Sequence, residues 1–243
     1  MKAYLEKSGK EWLDDFVYSS VGPLNDLGIE VIPFDGSRLL NFFMNTSFGK
    51  DDILIGSVEA TTKFFIENDI TIPKYLGYPE SLQSALYRDI KKCMLIAVDH
   101  PYPYFIKPAD DVKLFNGSEC VNETQYNYLL NDHPNDTMVY VSDIIKPLSE
   151  YRCFIHKGEL KGIKHYAGDF TLFPNIGSII QMIREYKTAP ISYTLDVCLD
   201  EELNTILIEV NDFWAIGSYG FDGKIYVRML IDRFQELKMN QYK

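Results

Sequence analysis

Long apolar runs, basic charge and cysteine are all in short supply in this chain. No apolar stretch among its 243 residues reaches the ~20 that a membrane-crossing helix needs. Lys and Arg number 24 against 35 Asp and Glu, a formal net charge of −11. A protein that coats nucleic acid or anionic lipid carries the opposite balance, so neither partner is expected. Cys93, Cys120, Cys153 and Cys198 stand far apart with no paired metal spacing, which predicts reduced thiols in a cytoplasmic protein. The opening MKAYLEKSGKEWLDDF is charged throughout and lacks the apolar segment of a secretory leader, an expectation in the same direction. Glycine-rich dinucleotide fingerprints, P-loops, protein-kinase signatures and Ser/His/Asp or Cys/His patterns are also missing. What is present is an ordinary globular composition, 46% apolar and 24% charged, enough for one large domain or two small ones around a real core. The abundance of Tyr, Asn, Ile and Lys resembles the usage of AT-rich genomes, phages included.

The chain is organised around residues 191–221, ISYTLDVCLDEELNTILIEVNDFWAIGSYGF. Two runs of β-formers flank an acidic turn, which predicts a hairpin. Glu209 and Asn211 lie two apart on one run and so share a face. With a loop of residues 201–204, Asp200 pairs with Thr205, Asp196 stands opposite Glu209, and Thr194 opposite Asn211. Two carboxylates and an amide oxygen on one sheet face suit a hard cation such as Mg²⁺. A solvated acidic sheet edge is the plain alternative.

The opening third reads as a short helix over residues 10–18, strands at 29–34 and 51–58, and a helix over 59–68, a small α/β layer. Apolar spacing at Leu82, Leu86, Ile90 and Cys93 predicts a helix over 79–97. From Phe105 onward antiparallel strands dominate: 105–108, 112–115, 138–145, and a hairpin of 150–156 with 159–166 around Lys157-Gly158. Helices are expected over 124–130, 176–186 and 224–238. The layout is α+β, with a boundary near Pro79.

Charged residues punctuate these strands. Lys107 ends a β-run before Pro108, Lys113 follows six residues later, and Arg152 shares a strand face with Glu150. A two-residue turn at Lys157-Gly158 sets Arg152 opposite Ile163 and Glu150 opposite His165. Cations for phosphate oxygens beside carboxylates for Mg²⁺ form the set that handles a nucleoside triphosphate. Each lysine alone reads as readily as a solvated surface charge, and Arg152 as a salt-bridge partner of Glu150 or Asp196.

The segments FIKP, KLFNG, VYVSDII, SEYRCFIHKGELKGIKHY, TLDVCLD and LIEVNDFWAIGSYG, in that order, resemble the ATP-grasp superfamily. Within it they look like the clade named for one arginine and two lysines, found in many phage and bacterial proteins. The resemblance covers about residues 79–221. It implies a small α/β pre-ATP-grasp domain over 1–78 and an ATP-grasp domain over 79–243, with a lid subdomain over about 79–138 and a larger sheet subdomain over 139–243. By the same resemblance Lys107 would meet the α- and β-phosphates of ATP, and Lys113 would be the second clade lysine. The backbone of Val139, Tyr140, Val141 and Ser142 would read the adenine edge, and Asp143 or Glu150 would reach the ribose. Position 142 is Ser where many relatives carry an acidic residue. Arg152 would meet the γ-phosphate or an acyl-phosphate intermediate, Asp196, Glu209 and Asn211 would ligate Mg²⁺, and Lys164, His165 and Tyr166 would line the acceptor side.

The implied activity is ATP- and Mg²⁺-dependent ligation of a carboxylate to an amine or thiol through an acyl phosphate, on a small molecule or on a peptide or protein. No side-chain nucleophile is needed for it, in keeping with the missing triad patterns. The competing expectation is a catalytically silent module of the same fold that holds nucleotide or a partner. The intact set Lys107, Arg152, Asp196, Glu209 and Asn211 favours the enzyme, since a buried carboxylate without its cation is costly.

Overall fold

The computed structural model describes residues 1–110 and 114–239. Among these, three sheets carry the chain, each with its own apolar core. The first is built on β1 (Lys2–Ser8), flanked in parallel by β3 (Glu30–Asp35) and β4 (Ile53–Ile55), with the short β2 (Glu11–Trp12) folded back antiparallel. Helices α1 (Asp15–Asp26), α2 (Leu39–Met44) and α3 (Val58–Glu67) connect these strands. Ser57 caps α3 by accepting from the Ala60 amide. The opening helix therefore starts later than residues 10–18 suggested. The alternating AYLEK segment before it is taken up as the central strand, and Asp14 marks the helix start.

The second sheet is entirely antiparallel, in the order β5 (Ile90–Met94), β8 (Met138–Ser142), β6 (Tyr104–Pro108), β7 (Ser118–Cys120), covered by α4 (Glu123–Asp132). Its first strand corrects the helix expected over residues 79–97. The apolar pair Leu82 and Leu86 is buried from a single 3₁₀ turn, Glu80–Ala85. Tyr87 then adopts left-handed backbone (φ +53°), which no helix interior tolerates, and residues 90–94 are captured as a partner of β8. Of the strand expected over residues 112–115, residues 112 and 113 lie outside the described residues, and 114 and 115 form a bend rather than a strand.

The third sheet runs β10 (Glu159–Gly168), β9 (Ser149–His156), β11 (Ser192–Leu199), β12 (Thr205–Asp212), all antiparallel. One face packs Tyr151, Cys153, Ile155, Leu195 and Val197 against α5 (Ile176–Glu185). The opposite face splits. Phe154, Phe213 and Phe221 join α6 (Gly223–Met239), which packs on into the first sheet's core. The remaining half of that face, carrying Glu150, Arg152, Asp196 and Glu209, opens toward the second sheet. Gly168 closes the β10 end at φ +81°, where an added Cβ would stand 2.3 Å from the Leu148 carbonyl oxygen. Gly168→Ala is therefore expected to lose about 1–3 kcal/mol from backbone strain alone. Urea unfolding checks this, with an unchanged midpoint counting against the fit.

Three bulges, at Lys161, Tyr166 and Ile208, set the registers. In the β9–β10 hairpin the turn is two residues long as expected, but an extra residue at Lys161 shifts the ladder. Arg152 pairs with Lys164 rather than Ile163, and Tyr151 with His165. In the β11–β12 hairpin Leu199, not Asp200, pairs with Thr205, and the chain then bulges at Ile208. The bulge restores the expected pairings of Asp196 with Glu209 and Thr194 with Asn211.

Candidate functional site

The open half of the third sheet gathers most of the charged residues singled out above. Arg152 and Asp196 face each other across β9 and β11 in a two-point ion pair, Nε to Oδ1 at 2.8 Å and Nη2 to Oδ2 at 2.7 Å. Arg152 is 7% and Asp196 3% exposed. Burial opposes the charge on Arg152, yet pairing with Asp196 holds its pKa above the usual arginine range. Burial drives the Asp196 carboxyl up, and the guanidinium counters this. Asn211 ties the strands together, its Nδ2 donating to Asp196 Oδ2 at 3.2 Å and to Glu209 Oε1 at 3.0 Å. Arg152 also donates to the Gly217 carbonyl and lies over the Tyr219 ring, 4.9 Å from its centre. Tyr219 stacks on Tyr166, whose hydroxyl donates to Glu150.

Lys107 reaches this cluster from β6 of the facing sheet. Its Nζ donates to Glu209 Oε2 at 2.7 Å and to the Tyr75 hydroxyl at 2.5 Å, and Tyr75 donates to the same carboxylate oxygen at 2.7 Å. The ammonium also stands over the rings of Tyr75 and Tyr78. Desolvation pulls Lys107 down, but Glu209 outweighs it and the pKa rises; Glu209 moves down for the reciprocal reason, against its own desolvation. Gly117 keeps Lys107 in place, because a Cβ there would meet the Phe105 ring at 2.6 Å and Lys107 Cβ at 3.2 Å.

Lys107, Gly117 and Glu209 are shared by two cavities of similar size. One, of about 500 Å³, runs between the sheets along Tyr78, Phe105, Ser142 to Ile145, Glu150 and Ile208. The other, of about 490 Å³, lies on the far side, toward the first sheet, between residues 72–76 and 211–216. Ala215 and Tyr219 in the segment after β12 both hold left-handed backbone at φ +48°, strain of the kind that collects at binding sites.

Some expected residues stand elsewhere. The backbone of Val139, Tyr140 and Val141 is paired on both sides, with β5 and β6, so it has no free edge to offer a base. The chain leaves the sheet only after Ser142, and it is Ser142 to Ile145 that line the first cavity. His165 is on the opposite face of β10, edge-on to the Tyr151 ring, so it does not join the cluster. Lys164 does share the Arg152 face, with no hydrogen bond or ion pair among the described residues. Lys113 lies outside the described residues. Asp212, three residues beyond Glu209 and one past Asn211, is spent on Arg233.

Two contributors escaped sequence reasoning. Tyr75 and Tyr78 sit in a segment without regular structure, where only the Tyr-x-x-Tyr spacing between two prolines hints at a role. Arg88 donates to the carbonyls of Leu207 and Ile208, satisfying acceptors that the bulge frees, so a residue 120 positions away holds Glu209 in register.

Among the described residues no group of three His, Cys, Asp or Glu side chains could hold a metal ion. Two carboxylates and an amide are nonetheless hard oxygen donors of the kind Mg²⁺ accepts, and Glu209 Oε1 and the Asn211 carbonyl keep acceptor capacity. Asp196 could join them only by sharing oxygens that Arg152 already uses.

A family model described as an ATP-grasp domain, R2K clade family 2, matches residues 86–229. No curated protein sequence matches the chain. Solved structures of similar fold include D-alanine–D-alanine ligase from Bacillus anthracis complexed with ATP, at 11% identity and a TM-score of 0.62 over 99% of this chain and 98% of that one. A D-cycloserine synthetase aligns at 8% identity and 0.62, over 96% and 99% of the two chains. A RimK domain ATP-grasp protein from Sphaerobacter thermophilus aligns at 13% and 0.57, over 95% and 98%. At these identities the likeness is one of fold, and the fold is ATP-grasp.

Proposed function

Because the chain belongs to the R2K clade of the ATP-grasp superfamily, we propose that it is an ATP-dependent ligase joining a carboxylate to an amine. The observation that carries the reading is the meeting of two cavities at one charged pair, Lys107 and Glu209. A nucleotide in the cavity between the sheets would present its terminal phosphate where a carboxylate in the other cavity can reach it. That is the geometry in-line transfer requires. The relatives of similar fold include ligases by name, among them an L-amino acid ligase from Bacillus licheniformis.

The chemistry needs two steps. A carboxylate oxygen attacks the γ-phosphorus, the bond to the bridging oxygen breaks, and ADP leaves with that electron pair. An amine nitrogen then attacks the acyl carbon, phosphate departs, and the nitrogen releases its proton to water. This chain's residues position and neutralise charge. Lys107 donates to phosphate oxygens once it leaves Glu209. Arg152 spends three of its five N–H groups on Asp196 and Gly217, leaving one on each terminal nitrogen for an anion. Lys164 adds an ammonium on the same face with no ion-pair partner among the described residues. Glu209 and Asn211 would hold Mg²⁺, which when bound neutralises charge on the transferring phosphoryl group. Asp143 to Ile145 provide backbone groups free of the sheet for the base.

The test is thermal shift and calorimetry with ATP, with and without Mg²⁺. A Mg²⁺-dependent stabilisation is expected, about 2.7 kcal/mol at a hundredfold excess over Kd. Lys107→Ala should weaken ATP binding on the order of tenfold to a hundredfold, the usual worth of a hydrogen bond to a charged group. Unchanged affinity would make Lys107 a structural partner of Glu209. No shift with any nucleotide would overturn the ligase reading, and binding without turnover would leave a nucleotide-holding module.

A further inference from the structure

We propose that the second cavity takes a monocarboxylate with an apolar body and no ammonium beside its carboxyl group. A simple apolar acid and the C-terminal end of a peptide with an apolar last residue share that chemistry. The inference rests on the ligase reading for the fate of the carboxylate, but the recognition argument stands on the cavity itself.

Much of the lining is apolar: Val58, Ile72, Pro73, Leu76, Trp214 and Ile216 border a volume of about 490 Å³, with Asn116 and Asn211 as uncharged polar neighbours. Cavities of this size hold ligands of roughly amino-acid to dipeptide bulk. The floor is the Lys107–Glu209 pair with Tyr75.

The charges lining this space are unequal in what they have left to offer. Each carboxylate is already committed. Glu209 pairs with Lys107, Asp110 with Lys92, and Asp212 is clasped by both Nε and Nη2 of Arg233. Among the described residues an ammonium entering the cavity would find no carboxylate that is not already paired with a cation, and desolvating it without its own counter-ion is costly. Lys74, by contrast, lines the cavity with no hydrogen bond or ion pair among the described residues. It supplies one positive charge that has no carboxylate partner among the described residues. One carboxylate is therefore welcome. A second would face apolar walls, and a zwitterion would strand its positive end.

The site carries its own reporter. Trp12 and Trp214 are the two tryptophans of the chain, and only Trp214 lines the cavity, edge-on to Phe65 at 5.3 Å. A Trp12→Phe protein leaves Trp214 as the sole fluorophore. In that protein 3-phenylpropanoate and N-acetyl-alanyl-phenylalanine are expected to change Trp214 emission saturably. The tighter of the two tells a free acid from a peptide end. Phenylalanine and glutarate should bind at least tenfold more weakly. Adding Lys74→Ala should weaken both apolar acids at least tenfold while leaving neutral 3-phenylpropanamide unchanged. Phenylalanine or glutarate binding as tightly as the apolar acids, or no saturable change with either apolar acid, overturns the proposal. The same protein is assayed for a MgATP thermal shift. A shift without acid binding sinks this inference and leaves the ligase reading, whereas acid binding without a shift does the reverse.

Discussion

Glu209→Gln is expected to lower Mg²⁺-dependent turnover on the order of 10³-fold, the scale on which removing a preorganised charge from a transfer site is felt. Among the described residues Glu209 is the one carboxylate that borders both cavities; it touches Lys107 and Tyr75 with one oxygen and keeps acceptor capacity on the other. Glutamine preserves the size and one of the two oxygens that accept from Asn211 and Tyr75, but removes the charge that a cation and Lys107 both require. The fold should survive at a cost of about 1–3 kcal/mol, because a half-buried ammonium loses its counter-ion. The pH dependence gives an independent check. The pKa of Glu209 lies below its ordinary value, so its contribution to stability is fully present above the usual carboxylate range. It is lost as pH falls through the depressed folded value. That acid limb should shrink in the variant. ADP release measured against Mg²⁺ concentration decides the matter, and wild-type rates in a folded Glu209→Gln protein would remove the metal-site reading.

What could be read from the sequence, and what could not, divides along physical lines. The Asp196–Glu209 and Thr194–Asn211 pairings follow from period two and a short acidic turn, and both occur. They occur for a reason no local pattern carries: a one-residue error at the turn is cancelled by a bulge at Ile208, whose carbonyl Arg88 satisfies from far away in the chain. The Arg152–Lys164 pairing was missed because a bulge at Lys161 leaves no trace in a strand of mixed polarity. That same shift sends His165 to the far face. The false helix over residues 79–97 shows the limit of apolar spacing. Leu82 and Leu86 satisfy it, yet the positive φ at Tyr87 and the open edge of β8 decide the outcome. Tyr75 was invisible because its role depends on Lys107 arriving from a different sheet. The charged residues themselves were legible, since an acidic or basic side chain inside an apolar strand always needs an explanation.

The Arg152–Asp196 pair supplies the explanation most open to a decisive test. Arg152→Met is expected to destabilise the protein by about 3–5 kcal/mol, as removal of one partner strands a fully buried carboxylate. The sign of its pH dependence follows from the same burial. Without the guanidinium, only the Asn211 hydrogen bond at 3.2 Å is left against the desolvation that already drives Asp196 up, and Glu209 and Glu150 add repulsion. The carboxyl then stays protonated in the folded state while it ionises in the unfolded chain. The deficit relative to wild type should be small at acid pH and grow as pH rises above the ordinary carboxylate range. Urea unfolding across pH reads it directly, and a pH-independent deficit would contradict it. The double replacement Arg152→Met with Asp196→Leu should recover most of the stability, because buried pairs contribute little over well-packed apolar residues. It should recover no ligase activity. If stability returns and turnover does not, the pair is kept for the anion that its two remaining N–H groups can bind. If the double variant stays as unstable as the single one, the pair is a structural tie between β9 and β11, and Arg152 loses its claim on the phosphate.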